Sequence, residues 1–179
     1  PTLDDTVELW DLTEPAAPRR MSTLDGFADD AYTATFSRDG RILAAGSADR
    51  SVRLWDVSDP AEPKHIARLV GPRTEVYSLA FDPSGTRLVA GSGGGSVRIW
   101  DVADPTRPQP YATFTVYGTR VYDAVFTAGG AAVVGGGPAK DLRVWRTDPD
   151  EVKARICAGG GMTMTRDECD GPAAPSKRK

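Results

Sequence analysis

Val52-Arg53-Leu54-Trp55-Asp56 decides the fold, because the same pattern recurs at 45-residue steps along the chain. Val7-Glu8-Leu9-Trp10-Asp11 precedes it, and Val97-Arg98-Ile99-Trp100-Asp101 and Leu142-Arg143-Val144-Trp145-Arg146 follow. A fixed period in this range marks a repeat architecture. Tyr32, Tyr77 and Tyr122 keep the same spacing, as do Phe36, Phe81 and Phe126, and Gly40, Gly85 and Gly130. Gly46, Gly91 and Gly136 make another such ladder, and Pro15, Pro60 and Pro105 another, with Pro18, Pro63 and Pro108 beside it. Composition alone does not produce parallel ladders at one lag. A chain built of copies of one unit is usually a surface that holds partners, and rarely carries a single asymmetric active site.

One unit reads clearly from Val76. Val76-Tyr77-Ser78-Leu79-Ala80-Phe81 is a β-branched and aromatic run, closed by the turn residues Asp82-Pro83-Ser84-Gly85. Thr86 to Gly91 gives a second strand, Ser92-Gly93-Gly94-Gly95 a reversal, and Ser96 to Asp101 a third strand. Pro105 and Pro108 interrupt, since proline cannot sit inside a ladder, and Gln109 to Phe114 reads as a weaker fourth strand. Short strands with regular turns indicate an all-β sheet architecture. Along the third strand Val97, Ile99 and Asp101 point to one face, Arg98 and Trp100 to the other. Burying one tryptophan is worth about 4–6 kcal/mol before entropy. Trp10, Trp55, Trp100 and Trp145 are therefore expected to form the packing spine.

These units resemble WD (Trp-Asp) repeats, the family that builds β-propellers. The likeness rests on the Trp-Asp pairs at 10–11, 55–56 and 100–101, and on the strand-and-turn segments at 31–40 and 76–85. It covers roughly residues 3 to 146. It implies an all-β fold of β-propeller blades, each a four-stranded antiparallel sheet. About three and a half blades are expected, in an incomplete ring with a short helical C-terminal tail. The expected divisions are a propeller segment over 1–147 (partial blade 1–24, blades 25–70 and 71–115, last blade 116–147), a helical extension over 148–170 and a disordered basic tail over 171–179.

Departures from the family pattern are informative. The family usually places Gly-His before the first strand, where the histidine joins a hydrogen-bonded set with a strand hydroxyl, a turn aspartate and the tryptophan. Gly26-Phe27, Gly71-Pro72 and Val116-Tyr117 stand there instead. The turn aspartate is kept as Asp49 and becomes Gly94 and Ala139; the hydroxyl is kept as Ser47 and Ser92 and becomes Gly137. Each missing bond costs about 0.5–1.5 kcal/mol.

The chain starts at Pro1, inside what reads as a third strand, and seven such units would need about 300 residues. The expectation is a fragment, or a C-terminal part, of a longer propeller with exposed open ends. Net charge is −3 with mixed signs, which gives no nucleic-acid footprint. No apolar run is long enough for a membrane helix. Cys157 and Cys169 lie outside the repeats and make no disulfide scaffold, so a reduced, cytoplasmic setting is expected. Asp148 and Pro149 begin a helix with Val152 and Ile156 on one face, stopped by Gly159-Gly160-Gly161. Residues 148–157 resemble the C-terminal extension of bacterial WD-repeat proteins, which often end large signalling chains bearing a STAND-type ATPase or a protease.

Catalytic chemistry finds little support. The lone histidine, His65, falls on an outer strand with no nucleophile partner, and one His with two Cys cannot supply the four ligands of zinc. Gly91 to Gly95 and Gly135 to Lys140 run strand to strand without the Gly-Lys-Ser/Thr ending of a phosphate loop, so they read as hairpin turns. Lys177-Arg178-Lys179 reads as a solvated end. No cofactor or metal is implied.

Two readings stand for Tyr32, Tyr77 and Tyr122, which open the first strands. As core they fill the gap between blades; as function they make a ring of amphipathic contacts, since tyrosine is enriched at interface hot spots. Phe27, Asp29, Pro72, Arg73, Glu75, Tyr117 and Arg120 would share that rim, on loops that vary while the strands do not. The reading is a non-enzymatic scaffold or regulatory propeller segment that binds a protein or peptide through one rim. The alternative is an assembly element completing a ring with a second chain or upstream blades, and an enzyme on a propeller comes last.

Overall fold

The computed structural model describes residues 5–115, 120–138 and 142–148. Among them, all regular structure is strand, arranged as four antiparallel sheets in chain order. The first sheet pairs β1 (Val7–Asp11) with β2 (Arg19–Leu24). The second runs β3 (Ala31–Phe36), β4 (Ile42–Ser47), β5 (Ser51–Asp56), β6 (Lys64–Val70), each strand beside the next. The third repeats that plan with β7 (Val76–Phe81), β8 (Arg87–Ser92), β9 (Ser96–Asp101) and β10 (Gln109–Thr115). The fourth holds β11 (Asp123–Phe126), β12 (Ala132–Gly136) and β13 (Leu142–Arg146). This is a run of propeller-type blades in an open ring, with β3, β7 and β11 packed side by side as the inner strands. The expected helix over 148–170 and the basic tail over 171–179 lie outside the described residues from 149 onward.

Each joint between sheets is a separate apolar core. Val7, Leu9 and Leu24 meet Trp55; Val52 and Leu54 meet Val76, Leu88 and Trp100; Val89, Val97 and Ile99 meet Val121, Ala124 and Val133, with Trp145 packed beside them. The period-two alternation of a strand explains this division. In β5 and β9 the Val and Leu or Ile face the following sheet, and the Trp faces the preceding one. Glycine sets the approach: a Cβ on Gly46 would lie 2.5 Å from Val76 Cγ1, and one on Gly91 2.9 Å from Val121 Cγ1. Each valine thus sits in a notch left by a missing side chain one repeat earlier.

The tryptophan spine holds only at the inner joints. Trp55 and Trp100 are 3% and 2% exposed, Trp145 is partly buried with its ring stacked 5.8 Å from Phe114, and Trp10 is 48% exposed. Trp10 departs from expectation because the face it occupies looks away from the second sheet, and no described sheet precedes the first.

Candidate functional site

Tyr32 and Tyr77 owe their position to a defect in pairing. Along β3 the register passes from Ala31↔Ser47 to Thr33↔Gly46, and along β7 from Val76↔Ser92 to Ser78↔Gly91, leaving each tyrosine without an opposite residue. Such a bulge bends the strand and re-aims its side chain. Tyr122 stands just before β11, with its backbone N–H donating to Gly136 O at 2.9 Å. The three rings form one ladder: Tyr32 and Tyr77 stack at 5.6 Å and 20°, and Tyr77 meets Tyr122 edge-on at 5.5 Å and 62°. Tyr32 and Tyr122 are exposed at 39% and 47%, and Tyr77 between them is half-buried. These rings therefore pack on one another at the surface rather than filling the core between sheets.

Charge is distributed unevenly along the ladder. Packing against its neighbours, and then the carboxylates of Asp30, Asp29 and Glu75, raise the Tyr32 hydroxyl above its ordinary pKa. Carboxylate oxygens of Asp5, Asp29 and Asp30 lie within 4.8 Å of one another at this end. At the far end Arg120 is raised in turn, first by its hydrogen bond with the Tyr122 hydroxyl and then by the fields of Tyr77 and Tyr122. The ladder thus runs from an acidic pole at Tyr32 to a basic one at Arg120.

Asp29, Arg73 and Arg120 are exposed and Glu75 half-exposed, as a rim contact requires. Phe27 and Pro72 are corrected: both are buried. Phe27, at the sequence position where the resemblance expects a histidine, lies 5.6 Å from the Trp55 ring and beneath the Arg53 guanidinium at 5.1 Å. Tyr117 lies outside the described residues. Asp30 and Thr74 belong to the loops expected on the rim but were not singled out from the sequence. Asp30 adjoins the first tyrosine of the ladder, and Thr74 Oγ1 accepts the Gly94 N–H at 2.6 Å. Their position in the varying loops was the available signal.

The polar set behind the rim is partly kept. Asp49 Oδ1 accepts the Ser51 N–H at 2.8 Å and the Ser51 hydroxyl at 2.5 Å, while Oδ2 accepts the Ala28 N–H at 3.2 Å. Ser47 Oγ donates to Asp29 O at 2.8 Å and accepts the Asp49 N–H at 2.9 Å, which ties the turn to the loop before β3. Burial pulls the Asp49 carboxyl upward, but these bonds and Arg53 at 3.9 Å outweigh it and hold the carboxyl below its ordinary range. Ser92 is equally enclosed, sharing a 2.7 Å hydrogen bond with the Ser96 hydroxyl.

At the opposite strand ends an open, polar groove of about 650 Å³ lies between the second and third sheets, lined by Ser37, Arg38, Asp39, Arg41 and Ser84 among others. Asp39 is occupied by the Ser37 hydroxyl at 2.6 Å and the Arg41 N–H at 3.1 Å. His65 is exposed on β6, edge-on to Trp55 at 5.8 Å, and burial lowers its pKa, followed by the charge of Arg53. No reactive pair is assembled at either place among the described residues.

Residues 19–56 and 63–101 match the family described as WD domain, G-beta repeat. The match supports a WD-repeat family. The matched segments run from β2 of the first sheet through β5, and then from β6 to β9, so they cross the joints between sheets. A comparison with curated proteins found no match. WD repeats generally mediate protein–protein interaction, and WD-propeller domains are typically non-catalytic.

Proposed function

We propose that this chain is a non-catalytic scaffold segment of a larger signalling protein, and that it binds a protein or peptide along the Tyr32–Tyr77–Tyr122 ladder. The observation that carries the reading is the pair of bulges, which turn successive tyrosines outward into one continuous aromatic surface. Tyrosine offers large contact area at low entropic cost. The rings are already stacked, so little ordering remains for a partner to impose. Asp29 and Asp30 at the Tyr32 end and Arg120 at the Tyr122 end, with Glu75 between them beside Tyr77, give a bound segment a direction. A cytoplasmic setting draws on the two cysteines, both remote from the repeats, and a bacterial one on the resemblance of residues 148–157. The assembly alternative rests on a different observation, the open faces of the first and fourth sheets.

Selection of a displayed random-peptide library on the 179-residue chain tests the rim. Enriched peptides should bind Tyr77→Ala at least about tenfold more weakly, a loss of about 1.4 kcal/mol. Peptides that bind this folded variant as tightly as the parent would refute the ladder as the contact.

A further inference from the structure

Arg53 on β5 and Arg98 on β9 hold the same place in successive repeats, but their surroundings differ. The Arg53 guanidinium donates to Gly26 O, lies 3.9 Å from Asp49 Oδ2 and covers the Phe27 ring at 5.1 Å. One repeat further on, Gly94 stands in place of Asp49 and Pro72 in place of Phe27, so Arg98 has neither the carboxylate nor the ring. Its side chain makes no hydrogen bond or ion pair among the described residues, and its buried Nε has no acceptor. Arg53 Nε is enclosed in the same way, but the rest of that guanidinium is engaged. Arg98 is half-buried, and its head is set against the loop before β7: a Cβ on Gly71 would lie 2.6 Å from Arg98 Cζ. The one carboxylate of that loop, Glu75, is turned to the tyrosine ladder instead. A Cβ on Gly93 would stand 2.7 Å from Glu75 Oε2 and 3.1 Å from Tyr77 Cε2. Gly94, beside it, is exposed.

We infer that Arg98 receives a carboxylate carried by the partner segment, an Asp or Glu side chain that enters beside Gly94 and takes the part that Asp49 plays for Arg53. The inference takes the partner's course from the reading of the tyrosine ladder as the contact, and adds a chemical requirement: an acid close to the residue that packs on Tyr77. Ion pairs between fully exposed side chains gain little. A guanidinium partly withdrawn from water, with an unpaired donor, gains far more, because a carboxylate meets its planar fork with two charge-assisted bonds. Glycine at 94 keeps the approach clear of any side chain of the turn itself. Arg73, exposed on the same loop, adds a second positive charge that favours an acidic segment during encounter.

Two displayed peptide libraries, alike except that one has Asp and Glu where the other has Asn and Gln, are selected on the full 179-residue chain. Binders should come from the acidic library, and changing their acid to its amide should weaken binding about tenfold, or about 1.4 kcal/mol. Arg98→Met, which keeps the apolar stem, should weaken the acidic peptide by the same factor and leave the amide peptide unchanged, so that the double-mutant cycle assigns the loss to this pair. Gly94→Asp is the second variant. It gives Arg98 a carboxylate of its own, with only the Thr74 side chain to yield, 3.1 Å from the new Cβ, and should exclude the acidic peptide to a similar degree. An unchanged circular dichroism spectrum verifies the fold of each variant. Equal enrichment from both libraries overturns the inference, as does acid dependence that persists in Arg98→Met and Gly94→Asp. Peptides that need Arg98 but tolerate Tyr77→Ala uphold the carboxylate site and refute the ladder; peptides that need Tyr77 but no acid do the reverse. A selection that enriches nothing overturns both.

Discussion

In the second sheet the β4–β5 turn is organised by the enclosed carboxylate of Asp49, whereas in the third the matching β8–β9 turn has Gly94 there and takes a hydroxyl from Thr74 of the preceding loop. At the opposite strand end the roles reverse. The third sheet buries Asp82, which accepts the Ser84 hydroxyl at 2.6 Å and the N–H groups of Thr86 and Arg87 at 2.9 Å each. The second sheet uses Ser37 and the exposed Asp39 in its place. Despite this exchange the strand registers agree, and Trp55 and Trp100 are equally buried. The sheets are therefore held by their apolar joints, while the carboxylates fix individual turns and can move from one end of a repeat to the other.

Removing a joint tryptophan should have the largest effect. Trp55→Ala or Trp100→Ala is expected to cost about 3–5 kcal/mol in denaturant unfolding. Equal, small losses at Trp55 and the exposed Trp10 would erase the distinction between inner and outer joints. Filling a notch comes next: Gly46→Ala drives a Cβ against Val76 and Thr33, and overpacking of this kind costs about 1–3 kcal/mol. A melting temperature unchanged by Gly46→Ala would mean that the sheets have slack to separate.

Carboxylate effects should be comparable or smaller, and confined to one sheet end each. Asp49→Ala leaves the Ser51 and Ala28 donors without their acceptor, a loss of about 1–3 kcal/mol. At Asp82, as at Asp49, burial pushes the carboxyl up, and bonds from Ser84 and Arg87 together with the Arg87 charge more than compensate. Both folded pKa values are thus depressed. Their stabilisation is complete above the unfolded carboxyl value, about 3.9, and is lost as pH falls through the lower folded values. Urea midpoints should drop in that acidic window, and less steeply in Asp49→Asn; identical pH profiles for parent and variant would remove Asp49 from the account. Thr74→Val is the mildest change, about 0.5–1.5 kcal/mol, and hydrogen exchange should locate it at the Gly94 amide. Protection there that is insensitive to the substitution would show that the hydroxyl is dispensable.

Strand order and the tryptophan spine were legible because apolar alternation and turn residues repeat in register, which makes each copy a check on the others. The bulges were not. Tyr32 and Tyr77 carry no glycine or proline beside them, and a bulge is a property of how two strands pair rather than of either alone. Phe27 was misread as a rim residue because its burial depends on Trp55 and Arg53, which stand 28 and 26 positions away. Trp10 shows the same limit from the other side. Its sequence neighbourhood matches that of Trp55 but for Glu8 in place of Arg53, and the sheet before it decides whether the ring is covered.

The glycine notch has a consequence for how such a chain changes over generations. Gly46 receives Val76 and Gly91 receives Val121, in both cases thirty residues ahead. Because both connections use the same key, Gly46 would accept Val121 if one whole 45-residue unit were deleted, and a duplicated unit would find a notch and a valine waiting. Gain or loss of complete units leaves every mating pair matched, whereas an insertion of a few residues within an inner strand would unseat two at once. The length of this array can drift in whole repeats while its cross-section stays fixed.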